Sequence, residues 1–147
     1  MRVIIVRFLF FTFLLSWIPA CKTYSPVSID QVPYLQRSQT QTVGGLTVTA
    51  AVLSPEESEQ IFGRPLAEKG IQPVWLEIVN KDPLPYALVS RYLDPTYFSA
   101  SETARMNSVS KKNIDEQIAK DYRKLAIDIR VPPGQTRAGF IFTRLDF

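Results

Sequence analysis

The first 21 residues limit this chain more than anything that follows, because they are built for a membrane and not for a folded core. Met1 to Arg7 carries two arginines and no acid, Phe8 to Ile18 is an apolar run of 11 residues, and Pro19-Ala20-Cys21 closes the segment. A positive start, a short apolar stretch and a small residue at a cut site are the pattern of a secretory signal peptide, which places the signal over residues 1–20. As a helix the run covers only about half of a ~30 Å hydrocarbon core, at about 1.5 Å per residue. Two other readings stand beside it, ordinary cleaved secretion and an uncleaved signal anchor. Val3 to Ala20 gives the anchor 18 mostly apolar residues, with Arg7 inside that window and Pro19 near its end counting against it.

Cys21 is the only cysteine, and the chain has no histidine. Those two facts exclude His-based triads, Cys–His dyads, Cys/His zinc sites and intramolecular disulfides. In an oxidising compartment a lone cysteine stays free, pairs between molecules or is modified. Ile18-Pro19-Ala20-Cys21 resembles the lipobox of bacterial lipoprotein precursors, with Ile18 where Leu is commonest and Pro19 unusual before the small residue. The resemblance implies a diacylglyceryl group on the Cys21 sulfur and cleavage that leaves Cys21 as the first residue. Each buried acyl methylene then contributes ~0.8 kcal/mol to holding the protein on a membrane. Lys22 stands where, in that family, an Asp signals inner-membrane retention, so the resemblance implies the outer membrane, with the domain facing the periplasm.

The formal charge of +3 comes from 17 basic and 14 acidic side chains, and Arg2 and Arg7 belong to the leader, which leaves 15 against 14 after it. A domain that close to neutral lacks the clustered positive field that nucleic-acid binding needs. Lys111-Lys112 is followed by Asp115, Glu116 and Asp121, the mixture of a solvated helix face.

Residues 21–38 read as a lipidated N-terminus and tether of about 15 to 18 residues, with Pro26 and Pro33, on which Val32, Tyr34 and Leu35 are placed to dock. Residues 39–147 read as a β-rich globular domain. Gln39 to Val43 and Leu46 to Leu53 flank Gly44-Gly45 as a hairpin, with Leu46, Val48, Ala50 and Val52 on the face toward the core. Ser54-Pro55-Glu56-Glu57 starts a short helix that ends near Phe62, with Gly63 as its stop. Gly63 to Gly70 lacks the Gly-Lys-Ser/Thr of a phosphate loop and reads as a turn.

Gln72 to Asn80 is the strongest strand, and Tyr86 to Arg91 is expected to return antiparallel to it. Ser99-Ala-Ser-Glu102 repeats the capping pattern before a short helical turn. In residues 108–125, Ile114, Ile118, Tyr122 and Leu125 form one apolar helical stripe, and Ile127 to Val131 and Thr136 to Leu145 alternate as strands. Val131 to Phe142 resembles the strand-turn-strand corner of extracytoplasmic immunoglobulin-like sandwiches. The fold class is therefore mainly β with inserted helices (α+β), an immunoglobulin-like β-sandwich that is incomplete, since five or six strands are visible where about seven are usual. The tether completes the sheet, or an edge is open to a partner or second copy, or the chain is truncated relative to a longer relative.

For a ligand, the candidate binding residues are Tyr92, Asp94, Tyr97 and Phe98, because aromatic loops over a rigid sheet are common binding surfaces. The competing reading has these rings plug one end of the sandwich. Trp75, beside Glu77, reads as a core residue between layers ahead of a sugar platform. The carboxylates are scattered as Glu56, Glu57, Glu59, Asp94, Asp115 and Glu116, each explained as a cap or a solvated face. We therefore expect no enzyme, no cofactor, no metal and no nucleic-acid partner. The expected partners are a membrane, through the lipid on Cys21, and another envelope protein, with a glycan or small-molecule ligand as the alternative.

Overall fold

The computed structural model describes residues 24–89, 92 and 94–145, and the Cys21 and leader readings lie outside them. Among these residues the order is β1 (Gln39–Val43), β2 (Leu46–Val52), α1 (Pro55–Phe62), β3 (Ile71–Asn80), β4 (Tyr86–Ala87), α2 (Ala100–Met106), α3 (Lys112–Leu125), β5 (Arg130–Val131) and β6 (Thr136–Arg144). Short 3-10 turns at Ile29–Gln31, Tyr34–Arg37 and Leu66–Lys69 complete it.

Four strands form one antiparallel sheet in the order β1-β2-β3-β6, and β4 pairs with β5 as a separate ribbon. The β1–β2 hairpin closes on Val43↔Leu46 across Gly44, whose φ of 58° suits a primed two-residue turn. β3 lies at the centre, with β2 along one side and β6 along the other.

Central in the sheet and packed by a layer on either side, β3 is buried on both faces, and each face supports its own core. Trp75, Phe140, Phe142 and Ala51 meet Phe62, Ile61, Ile118 and Tyr122 from α1 and α3 on the first face. Phe62 is at the middle of that cluster, edge-on to Tyr122, Phe140 and Phe142 at 5.1, 5.2 and 5.4 Å between centroids. On the second face Leu76, Ile78 and Ile141 meet Ile127 and Val131, with Leu46, Val48 and Ala50 half-buried beside them. The structure is thus a mixed α+β domain, and the expected sandwich holds only at that level. Helices, not strands, cover the first face, since Ile118 and Tyr122 recur at helical spacing, and the second face is covered by Val131 of the short ribbon together with Ile127, Leu88 and Tyr97.

Both helix starts follow from the sequence. Ser54 and Ser99 each accept from the backbone N–H three residues on, while Glu57 and Glu102 accept from the N-cap backbone. Such boxes stabilise a helix by about 1 kcal/mol. The long helix begins at Lys112 and not at 108. Ser110 takes a φ of 58°, and the Asp115 carboxylate accepts from Val109 N–H and from the Ser108 hydroxyl, both at 2.7 Å, which fixes those residues as a turn.

Two further expectations shift. The segment from Tyr86 pairs with β5, because β6 already occupies the free side of β3 and Asn80 turns the chain away. The Asn80 amide donates to Leu84 C=O at 2.8 Å and to Val131 C=O at 3.1 Å, and its oxygen accepts from Asp82 N–H. Ser90 and Arg91, the end of the expected strand, lie outside the described residues. Among residues 24–38, expected as tether, the chain is strapped onto the domain. The Tyr24 hydroxyl donates to Asp121 at 2.8 Å, Val27 N–H donates to Gln60 C=O at 2.8 Å, and Val32 and Tyr34 are buried in the first core, while Leu35 stays exposed. Arg37 then clamps the end of the strap to Glu57.

Candidate functional site

The structure separates the four candidate ligand residues. Asp94 is consumed by its own loop: Oδ1 accepts from Thr96 N–H and Oγ1, and Oδ2 accepts from Arg144 N–H at 2.9 Å. The Thr96 hydroxyl and those two backbone donors hold its carboxyl below the usual carboxylate range, so it stays an anion dedicated to the turn. Tyr92 is 89% exposed and faces solvent.

Tyr97 and Phe98 do come together, at the outer side of β6. Phe98 N–H donates to Phe142 C=O at 2.9 Å, and its ring packs on the first core, whereas Tyr97 packs on the second. The two rings close the edge of the sheet, as the plug reading expected of one end. They also wall an open cleft of about 490 Å³, shared with Lys69, Gly70, Thr96, Glu102 and Arg144.

Lys69 and Arg144 are 75 positions apart in sequence, and neither stands out there. Strand register brings them together: Ile71 is opposite Arg144, and Leu145 N–H donates to Gly70 C=O at 2.9 Å. Glu102 is engaged by the Ser99 cap, whose backbone N–H is the main cause of its lowered carboxyl pKa. The cleft therefore offers two cationic side chains, the Tyr97 hydroxyl and an apolar wall, beside the capped Glu102 carboxylate and a Thr96 hydroxyl already donated to Asp94. That chemistry suits an anionic or polyhydroxylated small molecule and contains no paired nucleophile and base.

A second cleft of about 450 Å³ lies between the strap and α3, lined by Pro26, Val27, Asp30, Ile61, Asp121 and Lys124 among others. Trp75 is buried against Tyr34, with ring centroids 6.0 Å apart, and so is core and not a sugar platform. Glu57 serves the Ser54 cap and Arg37, and Asp115 serves the turn before α3. Among the described residues no group of three or more metal-ligating side chains gathers, and no helix is long and apolar enough to cross a membrane.

The other surface feature is the free side of β1. All five of its residues are exposed, and no described segment pairs with it. No protein-family model, no curated protein and no solved structure matches the chain.

Proposed function

We propose that the chain is the precursor of a small, non-catalytic lipoprotein of the bacterial cell envelope, lipidated at Cys21, whose domain contacts another protein molecule of the envelope through β1. The anchor reading is supported by the short apolar run, the Ile18-Pro19-Ala20-Cys21 sequence and the single cysteine. Its location is the outer membrane, facing the periplasm, on the strength of Lys22. The observation that carries the docking role is the exposed edge of β1, a row of backbone donors and acceptors with no strand partner among the described residues.

The strap gives this reading a geometry. Only Lys22 and Thr23 separate Cys21 from Tyr24, so the covalent chain spans at most about 10 Å between lipid and domain, at ~3.3–3.6 Å per residue. The domain is then held at the bilayer surface. In architecture we read it as a reduced immunoglobulin-like sandwich, in which the turn after Val131 carries the chain from the ribbon to the large sheet.

The intact mass of the protein from membranes of its native host tests the anchor. A species that begins at Cys21 with added diacylglycerol is expected, and one that keeps residues 1–20 without lipid would leave a signal-anchored protein instead. The second reading is a glycan or small-molecule binder, favoured by the meeting of Tyr97 and Phe98 with Lys69 and Arg144 in one cleft. It requires a fluorescence response to glycans or envelope extracts that Tyr97→Ala removes without unfolding the domain.

A further inference from the structure

We infer that β1 pairs antiparallel with β1 of a second copy of this chain, about a two-fold axis at Gln41, joining two four-stranded sheets into one of eight strands. This rests on the reading of β1 as the docking edge and names its partner.

The two edges of the sheet differ. On β6 the outer side is covered: Phe98 bridges Phe142, Ala126 bridges Phe140, and Ile127 N–H donates to Phe140 C=O at 3.0 Å. β1 is five exposed residues of Gln-Thr-Gln-Thr-Val with no proline and no charge, and no loop covers it among the described residues.

The hairpin sets which groups face outward. Val43↔Leu46 flanks a two-residue turn and is a hydrogen-bonded pair, so Gln41 and Gln39 likewise bond to β2. Thr40 and Thr42 fall in the alternate, closer pairs, with their hydroxyls 2.9 and 3.0 Å from those of Thr49 and Thr47. Their backbone N–H and C=O groups therefore point away from the sheet.

A two-fold axis at Gln41 sets Thr40 against Thr42 of the other copy, and each pair exchanges both of its bonds, four in all. Sliding the copies by two residues leaves Thr40 or Thr42 facing itself and halves that number within the strand. Symmetry also sets every side chain against a copy of its own strand, where like charges repel. β1 contains none, and the nearest preceding charge, Arg37, is already paired with Glu57. The contact is smaller than the ~1,200 Å² of a stable interface, so in dilute solution it is transient and is best trapped covalently.

In the full chain carrying Cys21→Ser, Gln41→Cys places one thiol on the axis, in a close pair. Oxidation should link it into a dimer about tenfold faster than Gln135→Cys, an exposed position away from β1, through the raised effective concentration. An equimolar mixture of Gln39→Cys and Val43→Cys chains should give the 39–43 dimer well beyond the twofold statistical excess over 39–39 and over 43–43 that random collision produces. Thr40→Pro removes an outward N–H that the fold does not use, and should slow the Gln41→Cys link while the circular dichroism stays that of the parent. Equal rates at 41 and 135 overturn self-pairing, and a 39–43 yield no more than twice that of 39–39 overturns the register. If rates are equal but Thr40→Pro still releases a different envelope protein in mild detergent, the docking edge stands and the second copy does not. If Thr40→Pro changes neither, the docking reading fails as well.

Discussion

Truncating Tyr34 to alanine tests whether the strap is part of the folded domain. Tyr34 is 3% exposed and lies 6.0 Å from Trp75 and 5.9 Å from Phe140, between ring centroids. Removing a buried aromatic ring forfeits roughly 150 Å² of apolar burial, about 4 kcal/mol at 25 cal/mol per Å², and each ring pair adds about 0.5 kcal/mol or more. Residual compactness of the unfolded chain takes back roughly a quarter, which leaves about 3–4 kcal/mol, the ordinary cost of losing such a ring. Leu35, the next residue in the same 3-10 turn, is 47% exposed, so Leu35→Ala should cost less than about 1 kcal/mol. Urea unfolding followed by Trp75 fluorescence reads both, in the chain from residue 21 where Trp75 is the sole tryptophan. Equal midpoints for Tyr34→Ala and the parent would refute the argument and return residues 24–38 to the role of a loose tether.

Glu57→Gln keeps the cap but removes the charge facing the half-exposed Arg37, and should lower the midpoint of urea unfolding at pH 7 slightly. The Arg37 guanidinium is the main cause that lowers the Glu57 carboxyl from its ordinary 4.5, so the pair's contribution is present above 4.5 and lost as pH falls through the folded value. The gap between parent and variant should therefore close on acidification, and a gap that persists would show that the charge was not its source. Gly139→Ala would set a Cβ 2.6 Å from Ile127 N and 2.7 Å from its Cα, backbone atoms that cannot step aside, so we expect a loss above about 3 kcal/mol in thermal unfolding. Asn80→Ala leaves the Val131 carbonyl without its donor in a buried setting, while the Leu84 carbonyl, on an exposed residue, can turn to water, so the change should cost about 1–3 kcal/mol, with faster amide exchange in β4 and β5 as the local readout.

Local chemistry was legible in the sequence wherever one short stretch decides the outcome. The Gly44-Gly45 hairpin, the two capping boxes at Ser54 and Ser99, the stop at Gly63 and the Ile118 and Tyr122 stripe all follow from residues within a turn or two of each other. The strap was legible only in its far half: Val32 and Tyr34 dock as their apolar character suggested, Leu35 does not, and Tyr24 to Gln31 carry no period to read and lie beside a proline that suggests a linker. On β2 the expected core face was half right: Leu46, Val48 and Ala50 do flank the second core, but Val52 is exposed and Ala51, on the other face, is buried in the first, because alternation names two faces but not whether both are covered. Of the ligand residues, Tyr97 and Phe98 could be grouped from their adjacency, whereas Lys69 and Arg144 meet only through the β3–β6 register.

The position of β3 has a consequence for how the domain comes apart. Trp75 belongs to one core, and Leu76 and Ile78 to the other, so a single strand is the wall common to both. Neither layer can melt without exposing the back of the other, and the two should be lost together in one transition, with no half-unfolded state of appreciable population. The amides of Trp75 to Ile78 should then exchange with solvent last, only through global opening, while β1, exposed along its length, frays long before.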